Sequence, residues 1–292
     1  MIYFVMQSLP RADNPHSALF FLLYFCIMSR NFTSLMLVLA LICQASFSQY
    51  NQFELRGKTD VGLSISSGLV LAGGLYVKNN ATPPLWTDVM NISTSRVNGF
   101  DRLVFDLPYK NRILLSDVVV GGLSVLPATL LFFPEAREDF FPLAVIFYQT
   151  AAFTYGLTTL AKGWTGRYRP YVYDASLTRE ERTEQDGGEA FFSGHTSGAA
   201  AMAFASASTL TAYVDSPVWD KVIWGAAITI PAYTGYLRMV SRKHFPTDII
   251  AGYAVGASVG WLIPHLHRVK HNGDSPLTLD VRGNFLYLGY SF

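Results

Sequence analysis

Long apolar runs without charge follow one another along most of the chain, and polar segments separate them. A membrane-spanning helix needs about 20 apolar residues, with a range of about 17–25. The runs are close to that length, and together they predict an all-α fold, a six-helix bundle embedded in a membrane. A soluble protein with buried helices is the alternative, because short apolar runs do not separate the two. The runs are Val61–Val77, Val118–Pro134, Phe140–Ala161, Phe191–Val214, Val222–Leu237 and Ile249–Pro264.

The composition favours the membrane over the soluble alternative. Hydrophobic residues make up 50% of the chain and charged residues only 15%, whereas an average soluble domain is about 25% charged. The runs are also rich in Gly, Ala, Ser and Thr, which let helices pack closely in lipid. A net charge of +1 excludes the basic footprint of a nucleic-acid-binding protein. No obligate protein partner is evident from the sequence.

The two ends of the chain differ from this pattern. Residues 1–48 are predicted to be a targeting segment, with a secretory signal peptide that starts at Met28, has its apolar core at Leu35–Ile42 and ends in small residues near Ser48. An uncleaved membrane anchor is the alternative. The tail, residues 266–292, ends in partial polar–apolar alternation with aromatic residues, which predicts a β-strand or hairpin. The helical domain is expected to cover residues 60–265.

Three polar clusters lie at the ends of the apolar runs. Charged side chains at the edge of apolar helices are costly in a membrane and tend to be functional. Taken singly, each residue has a structural explanation as a helix cap, an interfacial anchor or a structural histidine. Their coincidence at three run ends favours a site. The clusters comprise Lys162, Arg169 and Pro170; Ser193, Gly194 and His195; and Arg238, His244 and Asp248.

The residue types in these clusters suit a phosphoryl group. Arginine presents a fork that matches phosphate oxygens two at a time, and Gly194 opens a helix whose N-terminus favours an anion. His244 and Asp248 are four residues apart, so a helix would place them on one face. An Asp hydrogen-bonded to one imidazole nitrogen leaves the other free to attack phosphorus. His195 is then available as a general acid.

The order and spacing of the three clusters resemble the signature of the type 2 phosphatidic acid phosphatase (PAP2) and vanadium haloperoxidase superfamily. The matching positions are Lys162-x6-Arg169-Pro170, Ser193-Gly194-His195 and Arg238-x5-His244-x3-Asp248. With the flanking helices, the resemblance covers about 60–264. Two positions depart from the usual pattern: Phe192 stands where Pro is common, and Leu237 stands where Ser is common.

The resemblance implies a role for each matching residue. His244 would be the nucleophile that forms a phosphohistidine, Asp248 would orient it, and His195 would protonate the leaving oxygen and then activate water. No metal or other cofactor is implied for the phosphatase branch. The phosphoryl oxygens would be held by Lys162, Arg169, Ser193, Gly194 and Arg238.

The same resemblance leaves several functions open. Members with six membrane helices act on lipid phosphates or pyrophosphates, so a lipid phosphate substrate is expected here. A soluble periplasmic acid phosphatase of the same superfamily is the second possibility. Vanadate-dependent haloperoxidase chemistry and non-catalytic binding of phosphate-bearing lipids are the third and fourth. Nothing in the polar loop 171–192 identifies a head group.

The expected location is the bacterial cell envelope, in the membrane, with the site facing the periplasm or the outer leaflet. Basic residues near both ends of the helical domain fit a cytoplasmic side away from the site. A cleaved signal peptide combined with six spans would instead place the site inside. Either the signal peptide is misread, or the Gly-rich and Ser-rich run Val61–Val77 does not span the membrane.

Overall fold

The computed structural model describes residues 51–269 and two strands near the C-terminus, Leu277–Arg282 and Phe285–Tyr290. The predicted targeting segment, residues 1–48, lies outside the described residues. The two strands, β1 and β2, pair in antiparallel register with Leu277 opposite Tyr290. The C-terminal hairpin predicted from the alternating pattern is therefore present.

Ten α-helices form within residues 51–269. Six are long: α1 (Gly57–Asn79), α4 (Ile113–Val125, continued by a 3-10 turn over Leu126–Phe132), α6 (Phe140–Thr165), α8 (Gly194–Leu210), α9 (Pro217–Val240) and α10 (Pro246–His267). Four are short: α2 (Trp86–Met90), α3 (Gly99–Asp106), α5 (Pro134–Glu138) and α7 (Arg179–Arg182). Two further 3-10 turns cover Thr94–Arg96 and Pro170–Tyr173.

Each of the six apolar runs forms one of the long helices, so the prediction of an all-α fold with six long helices is confirmed. The helices extend past the charged residues that bounded the runs. Helix α4 begins early enough to include Asp117, α9 ends late enough to include Arg238, and α10 begins early enough to include Asp248. Charged side chains are thus carried on regular helix at one end of the bundle.

Helix α8 lies at the centre of the bundle and packs against α4, α6, α9 and α10. Its sequence is rich in alanine, and Ala199, Ala203 and Ala207 form a buried cluster with Leu123 of α4 and Ala227 of α9. Small side chains at these positions let the surrounding helices approach closely. Helix α8 begins at the Ser193 cap, whose side chain accepts a hydrogen bond from the backbone N–H of the third helical residue.

The closest helix contact in the bundle joins α8 and α10 through three glycines of α10 at four-residue spacing. A β-carbon built on Gly252, Gly256 or Gly260 would lie within 2.6, 2.1 or 2.3 Å of a backbone oxygen of α8 or its cap. Those oxygens belong to Ser193, Ser197 and Ala201, which are also spaced by four. The matched spacing is the small-xxx-small pattern that brings two helix backbones together.

Four of the long helices are long and apolar enough to cross a membrane: α1, the α4 segment Ile113–Phe132, the α6 segment and α10. Helix α8 has 17 residues and is mostly buried among its neighbours, and α9 carries charges near both ends. Large apolar side chains project from the outer surface, among them Leu69, Phe132 and Trp164 at 68%, 84% and 92% exposure. An apolar surface of this extent suits lipid.

We predict that Gly256→Ala destabilises the bundle because the added methyl would push α10 away from the Ser197 carbonyl. Forcing extra volume into a packed interface costs about 1–3 kcal/mol, so the unfolding temperature in detergent should fall. Gly225→Ala is the control, because a β-carbon on this exposed α9 glycine meets nothing within 4 Å. That variant should be neutral or stabilised. Equal unfolding temperatures for the two variants would contradict the close approach of α8 and α10 at Gly256.

Candidate functional site

The three sequence clusters meet at one end of the bundle. The backbone N–H of Ser193 donates to the carbonyl of Asp248 at 3.0 Å, which joins the second cluster to the third. The ammonium of Lys162 lies 3.8 Å from where a β-carbon on Gly194 would stand, which joins the first cluster to the second. The C-terminal end of α6 and the N-terminal ends of α8 and α10 therefore surround one site.

His244 is 1% exposed and its ring is held by a backbone carbonyl. Its Nδ1 lies 2.7 Å from the oxygen of Ala190. A carbonyl only accepts, so Nδ1 carries the proton and Nε2 keeps its lone pair. Burial holds the pKa of this imidazole well below its usual range, and three cations act in the same direction: Arg169, Lys162 and Arg238. His244 is therefore neutral at pH 7, with Nε2 as a free nucleophile.

Asp248 does not make the hydrogen bond that the spacing predicts. Its Oδ2 lies 3.8 Å from Nδ1 of His244 and accepts the backbone N–H of Phe245 at 2.8 Å. Carboxylates favour the first turn of a helix, and Asp248 stands in the first turn of α10. The tautomer of His244 is thus set by the carbonyl of Ala190, and Asp248 lies 3.8 Å away without a hydrogen bond to the ring.

Arg167 connects Asp248 to a second buried carboxylate. Its two terminal nitrogens lie 2.5 Å from Oδ1 of Asp248 and 2.6 Å from Oδ2 of Asp101. Asp101 also accepts the backbone N–H of Thr247 at 2.9 Å. Sequence reasoning passed over both residues. Arg167 lies inside the first cluster and could have been noticed as an additional cation, whereas Asp101 lies in a distant polar connection.

His195 opens the central helix and pairs with Asp117 of α4. Its Nε2 lies 2.7 Å from Oδ1 of Asp117. The carboxylate accepts, so Nε2 donates and Nδ1 is left to exchange a proton with a ligand. Burial and the charge of Arg238 lower the pKa of His195 to about 4, although Asp117 opposes them. Asp117 was missed because it was counted as the end of an apolar run.

The two arginines of the clusters are buried and incompletely paired. Arg169 and Arg238 are each 4% exposed. Arg169 donates from Nε to the carbonyl of Asp186, and Arg238 donates from Nη1 to Ser116 at 3.1 Å. Among the described residues, Nη1 of Arg169 and Nε of Arg238 find no hydrogen-bond partner. Buried donors are rarely left unpaired, so these two favour an anionic ligand.

Ser193, the remaining predicted ligand, is fully buried. Its hydroxyl lies 2.9 Å from the hydroxyl of Thr196 and accepts the Thr196 backbone N–H at 3.4 Å. It therefore caps α8. The backbone N–H groups of the first turn face the same end of the helix as the cations, where the helix dipole favours negative charge.

A largely apolar cavity of about 490 Å³ leads away from these groups between α4, α6 and α8. Lys162, Gly194 and His195 line its polar end, and Ala151, Ala201 and Met202 line it deeper in the bundle. From Gly194 to Met202 the lining follows eight residue steps of helix, or about 12 Å. A second, more polar cavity of about 480 Å³ also reaches Lys162 and is lined by Lys78, Asp88 and Tyr168.

Comparison with known proteins assigns the region that holds these groups. No curated protein matches the chain. A crystal structure described as the first transmembrane PAP2 type phosphatidylglycerolphosphate phosphatase from Bacillus subtilis is 16% identical with a TM-score of 0.41, over 71% of this chain and 94% of that chain. The model of the PAP2 superfamily matches residues 143–271, a range that contains all three clusters. Residues 143–271 therefore form a PAP2 superfamily domain.

Proposed function

We propose that this protein is a metal-independent phosphatase that removes phosphoryl groups from membrane lipids through a phosphohistidine intermediate. The observation that carries the proposal is the combination of a neutral, buried imidazole at His244 with buried donors on Arg169 and Arg238 that have no hydrogen-bond partner among the described residues. Phosphoryl transfer depends on positioning and on electrostatic stabilisation of the equatorial oxygens. This arrangement provides both.

In the first step, the lone pair on Nε2 of His244 forms a bond to phosphorus as the bond to the leaving oxygen breaks. Nδ1 keeps its proton because its N–H donates a hydrogen bond to the Ala190 carbonyl. The imidazole ring of the phosphohistidine is therefore positively charged. His195 gives the leaving oxygen a proton. Binding of the phosphoryl anion favours the protonated form of His195 and opposes the effect of burial. In the second step, His195 takes a proton from water, which attacks phosphorus and frees His244.

The apolar cavity supports a lipid rather than a soluble phosphate ester. Its polar end meets Lys162 and His195, so a phosphate bound there can extend an acyl or isoprenyl chain between α6 and α8. Ligand pockets are typically lined by apolar side chains with a few polar groups that fix orientation. A water-soluble monoester would leave most of this cavity unfilled.

We propose that the site faces the periplasm, opposite a basic end of the bundle. Arg56 donates to the carbonyl of Arg268, so the N-terminal end of α1 and the C-terminal end of α10 form one basic end. The 22 residues of α10 separate that end from Asp248 by about 30 Å, close to the hydrocarbon thickness. Basic residues favour the cytoplasmic side, and we propose that this end lies there. The site end also carries Lys and Arg, but several of them are paired with carboxylates, among them Arg167, Arg169 and Lys243.

The test of the proposed function is phosphate release without added metal from a phosphatidate, an isoprenyl pyrophosphate and an aryl phosphate. We expect His244→Ala to lower the rate on every substrate by at least about a thousandfold, because loss of a nucleophile removes the covalent route. His265→Ala, on the opposite end of α10, is the matched control and should keep full activity. Comparable rates for both variants would contradict the phosphohistidine mechanism. A preference for the aryl phosphate would favour the activity of a soluble acid phosphatase of the same superfamily.

The lipid cavity has its own prediction. A β-carbon on Gly198 meets nothing within 4 Å and projects into the cavity that this residue lines. We expect Gly198→Leu to slow hydrolysis of long-chain lipid phosphates at least about tenfold, the cost of roughly 1.4 kcal/mol in substrate binding, while aryl phosphate hydrolysis is retained. Gly225→Leu on the outer face of α9 is the control. Equal effects of Gly198→Leu on both substrates would show that the cavity does not hold the lipid chain.

The pair between His195 and Asp117 generates a pH prediction. His195 must be protonated to act as the acid, so kcat falls as pH rises through its pKa in the substrate complex. Asp117 favours the protonated form, and Asp117→Asn therefore lowers this pKa. We expect the descending limb of the profile of kcat against pH to move down by about one unit. Asp215→Asn, at the far end of the bundle, should leave it unchanged. A shift to higher pH would contradict the assigned acid.

A further inference from the structure

A short acidic segment lies directly against the cations of the site. We call residues 184–190 the acidic strap; it follows α7 and leads to the cap of α8. Its backbone is anchored by two hydrogen bonds to the first cluster. The N–H of Arg169 donates to the carbonyl of Gly187 at 2.8 Å, and the N–H of Ala190 donates to the carbonyl of Arg167 at 2.9 Å.

Each of the three carboxylates of the acidic strap faces a different cation. The pairs are Glu184 with Lys243 at 3.7 Å, Asp186 with Arg169 at 2.9 Å and Glu189 with Lys162 at 3.6 Å. Asp186 and Glu184 are also held by the hydroxyl of Tyr171, at 3.0 and 3.2 Å. Burial acts to raise the pKa of Asp186, but Arg169 and Lys243 lower it below its usual range, so this carboxylate is ionised.

Glu189 differs from the other two carboxylates in the position of its partner. The ammonium of Lys162 lies beside Gly194, the first residue of α8. The side chains of Lys162 and Glu189 are each only 15% exposed, and both line the two cavities that meet at the site. A phosphoryl group bound at the helix N-terminus would therefore share Lys162 with Glu189.

We propose that Glu189 competes with the phosphoryl group for Lys162 and so weakens retention of inorganic phosphate after hydrolysis. This inference rests on the proposed function, since it concerns the same phosphate. A carboxylate and a phosphate beside one ammonium repel each other across a partly dehydrated site. The repulsion grows with the charge of the ligand, and a phosphomonoester carries about −1.5 to −2 charge at pH 7, so it acts on the bound substrate as well as on free phosphate. The acidic strap thus lowers the affinity of the site for phosphate by partly neutralising the cations that bind it.

The experiment measures binding of inorganic phosphate to the full chain in detergent by titration calorimetry, alongside its inhibition of lipid phosphate hydrolysis. We expect Glu189→Gln to bind phosphate about 3-fold to 30-fold more tightly, in line with loss of a partly buried like charge near the ligand. Glu189→Asp keeps the charge and should stay close to wild type. Glu180→Gln makes the same charge change on exposed α7 and should not alter phosphate affinity.

The outcomes separate this inference from the proposed function. Wild-type hydrolysis with unchanged or weaker phosphate binding in Glu189→Gln would overturn competition and would instead make Glu189 a residue that positions Lys162. Tighter binding in Glu180→Gln as well would overturn it too, because the effect would then be one of net charge. Absence of both hydrolysis and phosphate binding in correctly folded wild type would overturn the proposed function along with it. Circular dichroism and thermal unfolding show that each variant is folded.

Discussion

The site depends on the close approach of α8 and α10. The three glycines of α10 bring its backbone against α8 at four-residue intervals, and the first of these contacts, at Gly252, lies beside Ser193. The same contact lets Ser193 donate to the carbonyl of Asp248. Without it, the helix N-terminus that favours an anion and the loop that carries His244 would lie farther apart. Packing of small residues is therefore what assembles the chemistry.

The approach of these helices concentrates positive charge in a poorly hydrated site, and the surrounding carboxylates reduce the free-energy cost of burying it. Buried cations are costly unless they are paired. Asp117 faces His195 and Arg238, Asp186 faces Arg169, and Glu189 faces Lys162. The pairing is incomplete, since donors on the two arginines stay unsatisfied within the described part of the chain. A site that is neutralised only in part remains able to attract a phosphoryl group.

The sequence predicted the six long helices and the residues that converge, because apolar run length and cluster spacing are local properties. Tertiary partners could not be predicted in the same way. The acceptor for His244 is the Ala190 carbonyl. Every residue has a backbone carbonyl, so the residue types do not show which one accepts. Asp117 lies 78 residues before its partner His195, and only the packing of α4 on α8 brings them together. Asp101 lies 66 residues before its partner Arg167.

The expected hydrogen bond between Asp248 and His244 does not form, and the reason shows the limit of predicting contacts from residue spacing. Four-residue spacing places two side chains on one face only if both residues are helical, and here α10 begins at Pro246, after His244. Proline at the first position suits the start of a helix, so His244 stays in the loop and turns toward Ala190. Asp248 is then free to cap α10 and to bind Arg167. The helix start thus separates two tasks that the motif alone assigns to one pair: the carbonyl of Ala190 sets the tautomer of His244, and the carboxylate of Asp248 holds the loop that carries this histidine.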